Sequence, residues 1–141
     1  MEILKITDLN MVFTTRGLQG NEKIHVLKNL DFSVNEGEIV ALVGESGCGK
    51  TTLGKIIANL YQPTTGKICF LGKELSKLNA IEKAEYRKSV QFIQQDSYAA
   101  LNPVKTIYQS LYAPIKANNK KLNKKEITDL IKHYIEAVGL I

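Results

Sequence analysis

A glycine-rich segment in the first half of the chain restricts the possible folds more than any other feature of the sequence. It follows the pattern G-x-x-x-x-G-K-[ST], and its residues are Gly44, Glu45, Ser46, Gly47, Cys48, Gly49, Lys50, Thr51 and Thr52. Glycine permits the tight turns that aim successive backbone N–H groups at one anion, and the lysine adds a mobile positive charge. The segment therefore predicts a loop that binds phosphate groups, with the Thr51 hydroxyl available to Mg²⁺.

The residues on both sides of this loop fit the structural context in which such loops occur. An apolar, β-prone run at 38–43 comes directly before the loop, and residues 53–60 behind it have helical spacing. A strand that leads through the loop into a helix directs the positive end of the helix dipole at the phosphates. This context disfavours the alternative, an ordinary glycine-rich turn.

The order of the other elements differs from a regular alternation of strands and helices. Apolar alternation and β-prone runs predict strands at 3–9, 11–13, 25–27, 30–34, 67–71 and 89–93. A polar loop is predicted at 14–23 and a short charged helix at 82–88. Because strands outnumber helices before residue 95, the pattern favours an antiparallel β layer laid against a P-loop core over a Rossmann domain.

The last third of the sequence is predicted to be helical, at 106–117 and 124–138. The second helix carries one apolar stripe, made of Ile127, Leu130, Ile131, Tyr134, Ile135 and Val138. Asn123 and Glu126 predict a capping box, and Gly139 is placed to end the helix. Tyr134 is expected in the core, whereas His133 is expected on the helix surface because no second ligand lies at metal spacing.

Composition narrows the classes of function. The chain is 44% hydrophobic and 23% charged, and no apolar run is long enough to span a bilayer. Its N-terminus lacks the features of a signal peptide, and two cysteines make neither a disulfide framework nor a metal set, so a reducing cytoplasm is expected. A net charge of +5 would suit a nucleic-acid-binding protein. Five lysines at 116–125 supply much of the excess positive charge, however, and their clustering favours a solvated loop.

Three blocks of sequence, in this order, resemble the N-terminal part of the ATP-binding subunits of ABC transporters. They are VGESGCGKTTL at 43–53, PTTGKI at 63–68 and QDSYAALNP at 95–103. The last block is similar to the Q-loop of the oligopeptide, dipeptide and nickel importers. The resemblance implies an α/β fold, with a P-loop NTPase core of the ABC type, an antiparallel β subdomain and the start of a helical subdomain. The implied domains are 1–103, which end with the Q-loop, and 104–141.

The resemblance also implies ligands and residue roles. ATP and Mg²⁺ are the implied ligands, and residues 44–52 would bind the nucleotide. Gln95 would be the Q-loop glutamine that reaches Mg²⁺ and the attacking water, although Gln94 beside it leaves a one-residue alternative. Lys50 and Gln95 are thus the catalytic candidates, and Thr51 and Gln95 are the metal candidates. Phe13 matches the aromatic residue that stacks on adenine, and the alternative is a strand residue packed inward.

Several parts of the family's catalytic site have no counterpart in the sequence. These are the Leu-Ser-Gly-Gly-Gln signature, the Walker B carboxylates and the switch histidine. Asp96 is not a Walker B aspartate, because Gln94 and Gln95 precede it. Phosphoryl transfer needs several parts together, so we expect a truncated, incomplete ATPase with doubtful turnover on its own. Residues 39–43 are expected to leave an apolar edge exposed.

The sequence therefore predicts an ATP-binding subunit, or an N-terminal fragment of one, that energises ABC import of peptides or a related solute. The implied partners are transmembrane permease subunits and a second ATP-binding subunit, on the cytoplasmic face of the cell membrane. One alternative is an ABC-type ATPase that acts on nucleic acid or ribosomes, against which the importer-like Q-loop argues. Another is a non-catalytic nucleotide-binding remnant. The solute stays unspecified, because the specificity of such importers lies in other subunits.

Overall fold

The protein is built from four strands and four α-helices, in a computed structural model that describes residues 1–17, 20–96, 98 and 101–140. In chain order the elements are β1 (Glu2–Gly17), β2 (Gly20–Asn35), α1 (Lys50–Ile57), β3 (Thr65–Phe70), β4 (Lys73–Glu74), a 3₁₀ helix (Leu75–Lys77), α2 (Ala80–Ser89), α3 (Ile107–Asn118) and α4 (Lys124–Ala137). The chain divides into two compact units, Met1–Phe92 and Ile93–Ile141. The domain boundary after residue 103 stays a prediction.

The strands form one antiparallel sheet in the order β2-β1-β3-β4. β1 and β2 make a long hairpin whose pairing runs from Glu2 opposite Asn35 to Gly17 opposite Gly20. The expected antiparallel β layer is therefore present, but the loop predicted at 14–23 is wrong. Residues 14–17 and 20–23 continue the two strands as cross-strand pairs, and Leu18 and Gln19 lie outside the described residues. Polar residues suit this end of the hairpin because the described side chains at 14–16 and 20–23 are exposed.

An irregularity in β1 places its apolar side chains on one face of the sheet. Leu4 and Ile6 are buried, and so are Leu9 and Met11, although strict alternation would put the second pair on the opposite face. The register shifts between Ile6 and Leu9, where Asp8 adopts a left-handed φ of 47°. This bulge reverses the alternation, so both halves of the strand face the core. The core also contains Leu27, Leu53, Ile56, Ile68, Leu75 and Tyr86.

Residues 38–43 are not the predicted strand. They have no regular secondary structure and belong to none of the strands in the described sheet. Ile39 and Val43 are 98% and 94% exposed, so the expected exposure of an apolar segment is confirmed. A strand is held by hydrogen bonds to neighbouring strands, and β-propensity alone does not replace them.

The predicted strand at 89–93 is also wrong. Ser89 is the last residue of α2, and residues 90–94 have no regular secondary structure. Val90 instead packs against the core as an irregular segment, and the ring of Phe92 lies against Gly54 of α1. Val90 and Phe92 are thus partly buried by side-chain packing without a sheet neighbour, whereas Ile93 is 91% exposed.

The predicted helices are present, and α4 has the cap that its sequence predicts. Asn123 and Glu126 form the expected capping box of α4, and Gly139 follows the helix with a φ of 74°. The expectation that Tyr134 lies in the core is wrong, because its side chain is 51% exposed. Ile127 and Ile131 are buried, so only the first turns of the apolar stripe are covered within this unit. Among the described residues, no helix is both long and apolar enough to cross a membrane.

Gly66 is the position where the sheet tolerates a side chain least. Its φ is 99°, and an added Cβ would lie 2.4 Å from the carbonyl oxygen of Asp8, at the bulge in β1. We expect Gly66→Ala to lower the free energy of unfolding by about 2–4 kcal/mol, because left-handed strain and overpacking add together.

Urea unfolding measures this effect, and Gly72→Ala is the matched control. Gly72 has a φ of 76° with no neighbour within 4 Å of the added Cβ, so it tests left-handed strain without the clash. That control should lose only about 1–2 kcal/mol. Equal losses in the two variants would show that the contact with Asp8 does not limit the sheet.

Candidate functional site

The glycine-rich loop curls tightly in front of α1. Gly47 and Gly49 adopt left-handed φ angles of 85° and 99°, which side chains strongly disfavour. Gly49 is the N-cap of α1, and the N–H of Leu53 donates to its carbonyl at 2.9 Å. The first turn of α1 contains no acidic side chain. Its N-terminal N–H groups therefore form a positive end that suits an anion.

Close contacts hold the two ends of the loop. At Gly49, which is buried, an added Cβ would lie 2.9 Å from the carbonyl oxygen of Val26 and 2.9 Å from a methyl carbon of Leu27. At Gly44 it would lie 2.8 Å from Sγ of Cys48. The loop thus packs on β2 at one end and folds onto itself at the other.

Lys50 reaches back across the loop. Its Nζ donates to the carbonyl oxygens of Gly44 and Glu45, both at 2.7 Å, and lies 3.4 Å from Sγ of Cys48. In the part of the chain that the structure describes, no carboxylate forms an ion pair with this ammonium. Neutral carbonyls therefore solvate the positive charge, and an anionic ligand at the loop would replace these contacts without breaking an ion pair to a described carboxylate.

Thr51 and Thr52 occupy the first turn of α1 directly behind Lys50. Thr51 is exposed and Thr52 is half-buried. No cluster of three or more His, Cys, Asp or Glu side chains suited to a metal ion exists among the described residues. A cation at this loop would therefore depend on the Thr51 hydroxyl together with oxygens of the ligand and water.

Phe13 lies in β1, opposite Ile24 of β2, and is half-buried against the core. Its ring meets the ring of Tyr61 edge to face, with the centroids 6.0 Å apart and the planes at 79°. Lys55 of α1 lies over the same tyrosine, with Nζ 5.3 Å from the ring centroid. The Phe13 ring thus packs inward, as in the alternative considered for this residue. Stacking of adenine on Phe13 stays a prediction.

Gln95 lies in the second unit, at an exposed bend next to Gln94. Asp96 behind it accepts a hydrogen bond from the N–H of Tyr98 at 3.0 Å, so its side chain shapes a local turn. Ser97, Ala99 and Ala100, which belong to the same sequence block, lie outside the described residues. The structure thus groups residues 44–52 in the first unit, while the roles of Gln95 stay predictions.

Sequence reasoning missed the residues that support the loop from behind. Val26 and Leu27 of β2 contact the Gly49 position, and Tyr61 contacts Phe13. The alternation of β2 indicates that Leu27 is buried, but it does not say which element covers it.

Comparison with known proteins identifies the family of the chain and its fold. The sequence profile of the ABC transporter family matches residues 27–141. Over 142 residues the chain is 37% identical to the oligopeptide transport ATP-binding protein OppF of Lactococcus lactis subsp. lactis (strain IL1403), covering 99% of this chain and 44% of OppF. It is 35% identical over 141 residues to the nickel import ATP-binding protein NikE of Escherichia coli O157:H7, covering 99% and 52%. The chain thus spans about half the length of the curated relatives it matches.

Solved structures show the same architecture. The ATP-binding cassette MJ0796, in a dimeric post-hydrolysis state bound to ADP and Pi, matches with a TM-score of 0.74 at 24% identity, over 95% of this chain and 56% of that one. CbiO1 of Clostridium perfringens, part of the ABC transporter complex cbiONQ, matches with a TM-score of 0.64 at 27% identity, over 98% and 51%. The expected ABC-type α/β fold is confirmed, and the chain belongs to the ABC transporter family.

Proposed function

We propose that this chain is the nucleotide-binding part of an ATP-binding subunit that energises ABC import of peptides or a related solute. The observation that carries the proposal is the geometry of residues 44–52, in which left-handed glycines, the start of α1 and the Lys50 ammonium, which forms no ion pair with the described carboxylates, meet at one loop. The names of OppF and NikE support the class of solute, because they refer to oligopeptide transport and nickel import.

The phosphates of ATP fit this loop. The backbone N–H groups around Gly47 and Gly49 and at the start of α1 would hold them, since successive main-chain donors form a concave anion site. Lys50 would exchange its two carbonyl contacts for charge-assisted hydrogen bonds to phosphate oxygens. Phe13 is the proposed contact for the base.

Mg²⁺ would supply charge neutralisation at the phosphates when it is bound. Thr51 is the proposed protein ligand in the first unit, because hard cations prefer oxygen and its hydroxyl is exposed beside Lys50. Gln95 is the proposed second ligand and the residue that positions water. Both roles of Gln95 rest on the match between residues 95–103 and the Q-loop motif of the family.

The proposed partners are transmembrane permease subunits and a second ATP-binding subunit, at the cytoplasmic face of the membrane. CbiO1 supports this arrangement, because it is part of the ABC transporter complex cbiONQ. Purification from membranes should therefore recover permease subunits with this protein. Recovery of nucleic acid in their place would favour the alternative of an ABC-type ATPase that acts on nucleic acid or ribosomes.

Lys50→Ala tests the role of the loop. We expect the affinity for Mg-ATP to fall roughly 10- to 100-fold, because hydrogen bonds to a charged group contribute about 1.5–3 kcal/mol. Isothermal titration calorimetry measures the change. Lys55→Ala is the matched control, since Lys55 lies in the same helix but contacts the ring of Tyr61. The affinity of this variant for Mg-ATP should stay at the wild-type value. Equal affinity of wild type and Lys50→Ala would refute nucleotide binding at this loop.

The second expectation concerns turnover. Lys50 and Thr51 can bind the ground state of ATP, but uniform binding does not lower the chemical barrier, and phosphoryl transfer needs further positioned groups. The 141-residue chain alone should therefore bind nucleotide and release no phosphate above background. A phosphate-release assay measures this. Steady release that disappears in Lys50→Ala would show that the described residues already contain a complete catalytic site.

A further inference from the structure

A small cavity lies in the first unit between the turn that joins β3 to β4 and helix α2. Its volume is about 180 Å³, and its apolar floor includes Phe70, Leu78 and Tyr86. The rings of Phe70 and Tyr86 meet edge to face, with centroids 5.0 Å apart and planes at 80°. The Tyr86 hydroxyl donates to the carbonyl of Ile57, and burial raises the pKa of this phenol to about 12. The floor is therefore uncharged at neutral pH.

The rim of the cavity carries more negative than positive charge. Lys73 forms an ion pair with Glu82 at 2.7 Å, and the same hydrogen bond raises the pKa of Lys73 and lowers the pKa of Glu82, so both groups are charged at neutral pH. Glu85 also lines the cavity, one helical turn further along α2. None of the ion pairs formed by the described residues includes Glu85. Glu85 nevertheless lies near enough to Lys73 to help raise the pKa of that ammonium, so two carboxylates of the rim share one positive charge.

The turn above the cavity contains a leucine in an unfavourable conformation. Leu71 and Gly72 connect the paired residues Phe70 and Lys73, with φ angles of 48° and 76°. Two-residue hairpin turns with two positive φ angles favour Asn, Asp and Gly, and a leucine there carries a conformational cost. Core burial does not offset this cost, because Leu71 is 51% exposed. A strained residue that is half-exposed at the edge of a cavity suggests a functional role for its side chain.

We propose that this cavity is a docking site for a segment of a partner polypeptide, which inserts one large apolar side chain and places an adjacent lysine or arginine against Glu85. The volume suits a single side chain, because a cavity of about 150 Å³ accommodates benzene, whereas small-molecule sites reach roughly 300–1,000 Å³. Ile81 extends the apolar surface, since it is 73% exposed and lies one turn before Glu85 on the same face of α2.

The basic neighbour follows from charge complementarity at the rim. Glu85 is exposed, forms no ion pair with the described residues and shares the charge of Lys73 with Glu82, so a cation beside the inserted side chain would balance the second carboxylate. Leu71 would cover the inserted side chain from the turn. The site does not depend on nucleotide binding at residues 44–52, so each proposal can fail without the other.

The test is an NMR titration of the ¹⁵N-labelled 141-residue chain with the peptide acetyl-Gly-Phe-Arg-Gly-amide. We expect saturable shifts of the amides of Leu71, Gly72 and Glu85. The peptide with glutamate in place of arginine should bind about fivefold more weakly, because an exposed ion pair is replaced by repulsion. The peptide with alanine in place of phenylalanine should bind about tenfold more weakly, because the apolar anchor is lost.

Two variants test the residues that define the site. Glu85→Gln should remove the preference for arginine over glutamate in the peptide. Leu71→Asn should raise the melting temperature, because asparagine suits the turn, and should also weaken binding of the phenylalanine peptide. A merely structural leucine would give the first effect without the second. Lys50→Ala should bind the peptide like wild type.

Three results would overturn the proposal. They are equal affinity for the three peptides, shifts confined to residues away from the cavity, and no shifts at the highest peptide concentration. Phenethylamine serves as the probe for a small-molecule occupant. If it bound at the cavity as tightly as the arginine peptide, the site would belong to a small amphipathic cation, and the assignment to a polypeptide would be wrong.

Discussion

The close approach of Gly49 to the backbone of β2 is the contact on which the geometry of the phosphate loop depends. The position combines a left-handed φ of 99° with a buried site where a Cβ would meet the carbonyl of Val26 at 2.9 Å. Only glycine satisfies both conditions without a shift of the backbone. The contact fixes the start of α1 on the hairpin, and Leu53 and Ile56 then bury the inner face of the helix in the core.

The electrostatics of the loop follow from this anchoring. The N-terminus of α1 and the Lys50 ammonium lie at the same loop, and the ammonium is held by two main-chain carbonyls. Because no described carboxylate pairs with this ammonium, an anion can bind to it without breaking such an ion pair. The backbone donors and the ammonium are already in place before phosphate binds. The entropy cost of ordering the loop on binding is therefore lower.

Much of the fold could be predicted because its signals are local. The loop follows from the spacing of Gly44, Gly49 and Lys50, and the start of α4 follows from a capping box within four residues. The prediction of a strand at 38–43 is wrong because a strand depends on hydrogen bonds to neighbouring strands. A local sequence pattern carries no information about those neighbours. Tyr134 is exposed for a related reason, since a helical stripe is buried only where another element covers it.

The contacts that support the phosphate loop and the cavity near α2 could not be predicted from the sequence, because they join residues that are far apart along the chain. The cavity near α2 arises where Phe70 and Tyr86, from a strand and a helix, meet at 5.0 Å. The left-handed Leu71 breaks the usual preference for Asn or Gly in its turn, so residue type alone would not place it there. Such exceptions to local rules tend to mark positions where side chains serve a function.

The central claim is that the main chain of residues 44–52 is shaped to donate hydrogen bonds to phosphate. Its most direct test is the ¹⁵N–¹H spectrum of the 141-residue chain during addition of Mg-ADP. The account predicts downfield shifts of the amide protons of Gly49, Lys50 and Thr51, because N–H groups that donate to phosphate are deshielded. Unchanged amide shifts at these residues under saturating Mg-ADP, with changes confined to other parts of the chain, would contradict it.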